Sequence, residues 1–173
     1  SADGPDPASV ALAAHLPDKL PTRMVDLGAG WGWLSAQVLA HPGVEVLHLV
    51  EADAVALDCA RRNVTDPRAR FHWADALDFR LSEPVNGVVM NPPFHDGRAA
   101  DPKLGARFIR AAAGLLTGAG RLWMVANRHL PYEAALAEHF ADVAEIGGDN
   151  RFKIISATGA RRAAPARPRL RRR

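Results

Sequence analysis

Apolar runs and amphipathic stretches take turns along most of this chain. The runs at 22–27 (TRMVDL), 44–51 (VEVLHLVE), 69–75 (ARFHWAD), Gly87–Met90 and 120–127 (GRLWMVAN) have the length and composition of buried strands. Between them lie segments that suit helices. Residues 31–40 form one, closed by His41, Pro42 and Gly43. Residues 53–63 form another, with Asp53 placed to cap its first turn. In a third, Leu104, Phe108, Ala111 and Leu115 fall on one face. A helix over 7–16 opens at Pro7 and ends before Pro17, and Pro131 starts one that runs to about Phe140. VAEIG (143–147) and RFKIISA (151–157) close the pattern as strands. Strands alternating with helices predict an α/β, doubly wound fold: a mostly parallel, seven-stranded sheet covered on both faces. The short connection between the last two strands predicts an antiparallel strand at that edge.

Ligands of such sheets bind beyond the carboxyl ends of the strands. Gly28, Glu51, Asp75, Asn91 and Asn127 all stand at such ends, so the polar residues of interest collect on one rim. A length of 173 residues suits one domain, with no internal repeat and no linker before residue 158. No run of about 18 apolar residues is present, and no secretory signal opens the chain, so neither membrane nor export is expected. Ser1 in place of Met fits a fragment or a processed product. Cys59 is the only cysteine, which excludes a disulfide framework and favours a reducing cytoplasm.

The net charge of +3 hides an uneven distribution. Residues 160–173 hold seven arginines and no acid, and the remainder carries 15 basic and 19 acidic residues, a body charge of −4. The predicted division is therefore a folded domain over 1–158 and an Arg/Pro/Ala-rich, disordered tail over 159–173. That tail is either a phosphate-binding arm or a solvated extension.

Two stretches carry chemistry. In DLGAGWG (26–32), glycines at 28, 30 and 32 follow a strand, where they let the backbone turn tightly and approach a ligand. A dinucleotide fingerprint would need a third glycine at position 33, which is Trp33. Glu51 ends the second strand and could accept from both hydroxyls of a ribose. The second stretch is GVVMNPPFHDG (87–97). An exocyclic amine on a base is a poor nucleophile, because its lone pair is delocalised into the ring. Two acceptors aimed at its N–H bonds would localise that pair. Asn91 offers a side-chain carbonyl, and Pro92 a main-chain carbonyl with no competing N–H. Pro93 holds Pro92 extended, and Phe94 offers a flat face for stacking. His72, His95 and His129 are scattered, and no metal site is expected.

Asp26 and the glycines resemble the D-x-G-x-G-x-G signature of class I S-adenosylmethionine (SAM) methyltransferases, which have a Rossmann-like fold. NPPFHDG (91–97), VANRHLPY (125–132), NRFKI (150–154) and the opening SADGPDPASVALAAHL resemble the bacterial 16S rRNA guanine-N2 methyltransferases of the RsmC type. The likeness covers residues 1 to about 157. It implies SAM as cofactor, held by Asp26, Gly28, Gly30, Glu51, Asp75 and Asn91, with Asp75 beside the adenine amino group. It implies catalysis by Asn91, Pro92 and Phe94, with methyl transfer to the N2 amine of guanine in small-subunit RNA. Phe94, His95, Asp96, Asn127, Tyr132 and Lys153 would then meet the substrate. Members commonly carry a second, degenerate domain before the catalytic one, which helps bind RNA. It is absent from this sequence, so a missing or separate N-terminal RNA-binding domain is a candidate partner. Arg98, Lys103, Arg107, Arg110, Arg128, Arg151 and Lys153 could make a local basic rim. The same clamp would suit adenine N6 or a protein glutamine amide, and a non-catalytic RNA-binding module of this fold is a further alternative.

Overall fold

The computed structural model describes residues 4–93, 95–96 and 99–161. In chain order the elements are α1 (Pro7–Ala14), β1 (Arg23–Leu27), α2 (Trp33–Leu39), β2 (Val46–Glu51), α3 (Ala54–Asn63), β3 (Ala69–Trp73) and β4 (Val85–Met90). The two-residue strands β5 (His95–Asp96) and β6 (Ala99–Ala100) follow. The chain continues with α4 (Pro102–Leu115), β7 (Leu116–Asn127), α5 (Glu133–His139), β8 (Phe140–Gly148) and β9 (Phe152–Ala160). None of the described helices is long and apolar enough to cross a membrane.

Seven strands form one sheet in the order β3-β2-β1-β4-β7-β9-β8. Pairings from β3 to β7 are parallel, and β9 is inserted antiparallel between β7 and β8. The antiparallel strand is thus next to the edge, and β8 is the edge itself. The turn between them is built by Asp149, whose Oδ1 accepts from the backbone N–H groups of Arg151 and Phe152 at 2.8 and 2.9 Å. Those bonds hold its carboxyl below the usual aspartate range.

Side-chain alternation divides the core into two layers. Met24, Leu47, Leu49, Val89, Trp123 and Val125 pack with Ala8 and Leu12 of α1, Val38 of α2 and Ala60 of α3. Val25, Leu27, Val50, Val88, Met90, Leu122 and Met124 pack with Phe108, Ile109 and Ala112 of α4 and Leu136 of α5. Both layers are apolar, which is why the strands read as nearly continuous apolar runs. On the second layer His48 and His72 sit side by side, Nδ1 to Nε2 2.9 Å. Burial, then repulsion from His72 and Arg70, pushes His48 down to about 4, and burial also lowers His72.

Three details were not foreseen. The short β5–β6 hairpin has no apolar run to announce it. β7 starts at Leu116 rather than Gly120: Leu116 pairs with Val85, and the register then shifts so that Gly87 pairs with Arg121, the extra residues lying on β7. β9 continues through Thr158, Gly159 and Ala160, where Ala160 pairs with Phe140 and Arg161 N donates to His139 O at 2.8 Å. Residues 159 and 160, placed by composition in the tail, therefore belong to the sheet; residues 162–173 lie outside the described structure.

One contact fixes how α4 meets the segment after β7. Tyr132 is 1% exposed, and a Cβ at Gly105 of α4 would lie 2.2 Å from its ring. Alanine in place of glycine usually stabilises a helix by about 0.5–1 kcal/mol. Here overpacking by about 1–3 kcal/mol opposes that gain. Gly105→Ala is expected to lower stability in urea titrations; a more stable variant would contradict this packing.

Candidate active site

Strand register brings the rim residues to one level. Asp26 of β1 lies beside Leu49 of β2 and Val89 of β4. All three face the α1–α2 layer, so two residues further on Gly28, Glu51 and Asn91 arrive on that same side, one step higher. Above them is a cavity of about 370 Å³, lined by Gly28, Val50, Glu51, Ala52, Asp75, Ala76, Phe108 and the Asn91-Pro92-Pro93 stretch. An adjoining cavity of about 190 Å³ is lined by Asp26, Gly28, Ala29, Gly30, Trp31 and Trp33. Asp6, Gly28 and Asn91 border both, which makes one groove.

The glycine loop is held open by its backbone. Gly28, Gly30 and Gly32 have φ of +80°, +57° and +94°, a region that side chains rarely adopt. At Gly32 space is short as well, since a Cβ would lie 2.9 Å from Val64 and 3.3 Å from Ala60 of α3. Glu51 ties this loop to the next helix: Oε1 accepts from Gly30 N at 2.9 Å and Oε2 from Asp53 N at 2.8 Å. Each oxygen keeps a further lone pair for a ligand hydroxyl. Asp53 caps α3 as expected, accepting from Val55 N and Ala56 N. Asp75 is exposed, and its Oδ1 accepts from Leu77 N at 2.9 Å.

Asn91 is oriented by α1. Its Nδ2 donates to Asp6 Oδ2 and to Ser9 Oγ, both at 3.0 Å. An ionised carboxylate only accepts, so the NH₂ must face Asp6 and the carbonyl Oδ1 must face the other way. No described residue donates to that Oδ1. The other oxygen of Asp6 caps α1 through Ala8 N at 2.9 Å. One carboxylate thus starts a helix and aims the amide. Asp6 and Ser9 were not singled out from the sequence, although an aspartate directly before Pro7 at a helix start is a capping signal.

Asp26 is 1% exposed and accepts a 2.6 Å bond from Ser35 Oγ. Burial raises its carboxyl to about 7; the Ser35 bond opposes this and the Glu51 charge adds to it.

Three residues expected at the substrate mouth do not line the groove. Tyr132 is buried against Gly105. Lys153, 5% exposed, donates to Leu130 O at 2.6 Å and to Glu133 Oε1 at 2.5 Å. Asn127 stands on the rim, but its Oδ1 accepts from His129 N at 3.1 Å and caps a turn. These polar groups serve the backbone and packing beyond β7, a role that their one-dimensional spacing does not distinguish from ligand binding. Of the residues expected in a basic rim, Arg128 pairs with Glu145 at 2.9 Å and Arg151 stacks over Phe152. Phe94 and Arg98 lie outside the described residues, and His95 and Asp96 are described only as the backbone of β5.

Residues 1–156 match the family model described as methyltransferase small domain. The chain belongs to this family. Among relatives, it is 34% identical over 154 residues to the ribosomal RNA small subunit methyltransferase C of Shewanella pealeana, covering 87% of this chain and 44% of that protein. It is 36% identical over 163 residues to the ribosomal RNA large subunit methyltransferase G of Ectopseudomonas mendocina, covering 90% and 43%. The chain therefore spans less than half the length of these relatives. Among solved structures it resembles the T. thermophilus 16S rRNA N2 guanine methyltransferase RsmC in complex with AdoMet and guanosine. That match has a TM-score of 0.77 at 26% identity and covers 91% of this chain and 44% of the other. The family carries the Rossmann-like fold expected from the glycine loop and the alternating elements.

The raised Asp26 carboxyl has a consequence for stability. A folded value of about 7 against an unfolded value near 3.8 stabilises the fold fully below 3.8, and that contribution is lost as pH rises through 7. Asn keeps the neutral form at every pH. The stability of Asp26→Asn relative to the parent is expected to improve between pH 4 and 7 and level off beyond, measured by urea unfolding. A difference that does not change with pH would contradict a buried, protonated Asp26.

Proposed function

We propose that this chain is a SAM-dependent N-methyltransferase that modifies the exocyclic N2 amine of guanine in small-subunit ribosomal RNA. The observation that carries the proposal is the orientation of Asn91, whose amide NH₂ is bound to Asp6 and Ser9 at the groove while its carbonyl oxygen is left for a donor. The groove suits the cofactor. Its glycine backbone leaves space, Glu51 offers acceptors for ribose hydroxyls, and Val50, Ala52, Ala76 and Phe108 give apolar walls for a purine. Asp26, Gly28 and Gly30 border the adjoining part, and Asp75 stands at the purine end.

When bound, SAM supplies a methyl group on a positively charged sulfonium. The protein's task is to bring an amine to it in line. Asn91 Oδ1 accepts one N–H of that amine and the Pro92 carbonyl accepts the other, which draws the nitrogen lone pair out of conjugation. The held nitrogen would receive that methyl carbon, the cofactor would leave as the neutral thioether, and the extra proton on nitrogen would pass to water. Phe94, His95 and Asp96 are the residues we assign to contact with the base. No protein nucleophile is needed; alignment of this kind can supply roughly 7–11 kcal/mol of the barrier. Cys59, the sole cysteine, is a free thiol, in keeping with a cytoplasmic protein.

The 36% identity to a large-subunit enzyme supports a second target, large-subunit RNA, at the same site. Labelled SAM, incubated with undermethylated small and large subunits and with naked rRNA, separates the two. Labelled N2-methylguanosine in 16S RNA is the expected product. The same nucleoside in large-subunit RNA alone would move the target. N6-methyladenosine, a labelled protein glutamine, or no product despite intact SAM binding would overturn the assignment.

A further inference from the structure

A second cavity, of about 610 Å³, runs along α4 from beside the groove toward the opposite end of the sheet. It sits where β4 and β7 begin and where α4 ends, bordered by Pro84, Leu116 and Gly114. Four arginines line it: Arg80 from the loop before β4, Arg107 and Arg110 from α4, and Arg161 just past β9. Asp78 is the only carboxylate among the lining residues. In a body with a net charge of −4, this is a local reversal of sign.

The arginines are not consumed by the fold. Arg23, Arg68, Arg128 and Lys153 form ion pairs, whereas none of these four does among the described residues. Arg80 and Arg161 each donate to a backbone carbonyl, of Phe79 and Ala137. Arg107 and Arg110 make no hydrogen bond to any described residue, so they are not simply capping the negative end of α4. Both are exposed, and they sit three residues apart on one face of the helix. From Arg161 the chain continues into a segment with six more arginines. Guanidinium groups gathered from three elements suit several phosphates rather than one, because each can bind a phosphate through two parallel N–H groups.

We propose that this cavity grips the phosphodiester backbone of the RNA substrate beside the groove that would hold the reacting base. Phe108 of α4 lines the groove, whereas Arg107, Arg110 and Gly114 of the same helix line this cavity, so a strand leaving the groove would meet the arginines within a short reach. The choice of RNA over an acidic protein rests on the function proposed above; the anion site itself does not.

Binding without SAM tests it independently of methyl transfer. A fluorescent 16S rRNA fragment is titrated with the chain at several salt concentrations, and the parent is compared with Arg80→Gln/Arg107→Gln/Arg110→Gln. Three lost phosphate contacts should reduce the slope of log K against log salt by about 2–3, while melting temperature and SAM affinity stay unchanged. The corresponding triple lysine variant should retain the slope. An unchanged slope and affinity in the glutamine variant would overturn the proposal, as would poly-glutamate competing as well as RNA. A parent chain that methylates no RNA yet shows the slope change would refute the activity and leave this site standing. Methylation with an unaltered slope would do the reverse.

Discussion

The site depends on a single amide being unable to turn round. Asn91 follows a buried strand, and its NH₂ is bound by two acceptors at the start of α1. A free asparagine could present either end to a ligand; this one presents its oxygen. Turning it would set its carbonyl against the Asp6 carboxylate, and that cost keeps the acceptor preorganised before any substrate arrives. Because Asp6 also caps α1, the helix and the clamp form together.

The two-layered sheet supplies the rest. Alternation sends Asp26 and Asn91 toward α1 and α2, while Val88 and Met90 are anchored beneath α4. The glycine loop, the Glu51 carboxylate and the amide are therefore placed by strands that pair in register, not by long loops. Two bonds from Glu51 join the loop to the start of α3, so the part that would surround a nucleoside is tied on both sides. The buried acid beneath, Asp26, is satisfied by Ser35 and spends most of its existence neutral below pH 7.

Much of this was legible in the sequence. Apolar runs marked the seven strands of the main sheet and its mostly parallel character, and the glycines and the Asn-Pro-Pro stretch stand on the same rim of that sheet. What could not be read was which polar side chains the fold itself would consume. Lys153 looks like a substrate contact but is held by Glu133 and a backbone carbonyl. Tyr132 looks like a mouth residue but fills the space that Gly105 leaves. Conversely, Asp6 and Ser9 lie more than 80 residues from Asn91 along the chain, and only the folded sheet brings them together. The arginines of α4 read as a solvated helix face until Arg80 and Arg161 arrive from distant segments.

The most direct test of the clamp is single-turnover methylation by Asn91→Ala, with SAM affinity measured in parallel by calorimetry. Removing one preorganised partner of a developing charge typically costs about 10²–10³ in rate, and a loss of that order with nearly unchanged SAM affinity is the predicted result. Turnover at the parent rate would show that the amide oxygen takes no part in holding the amine.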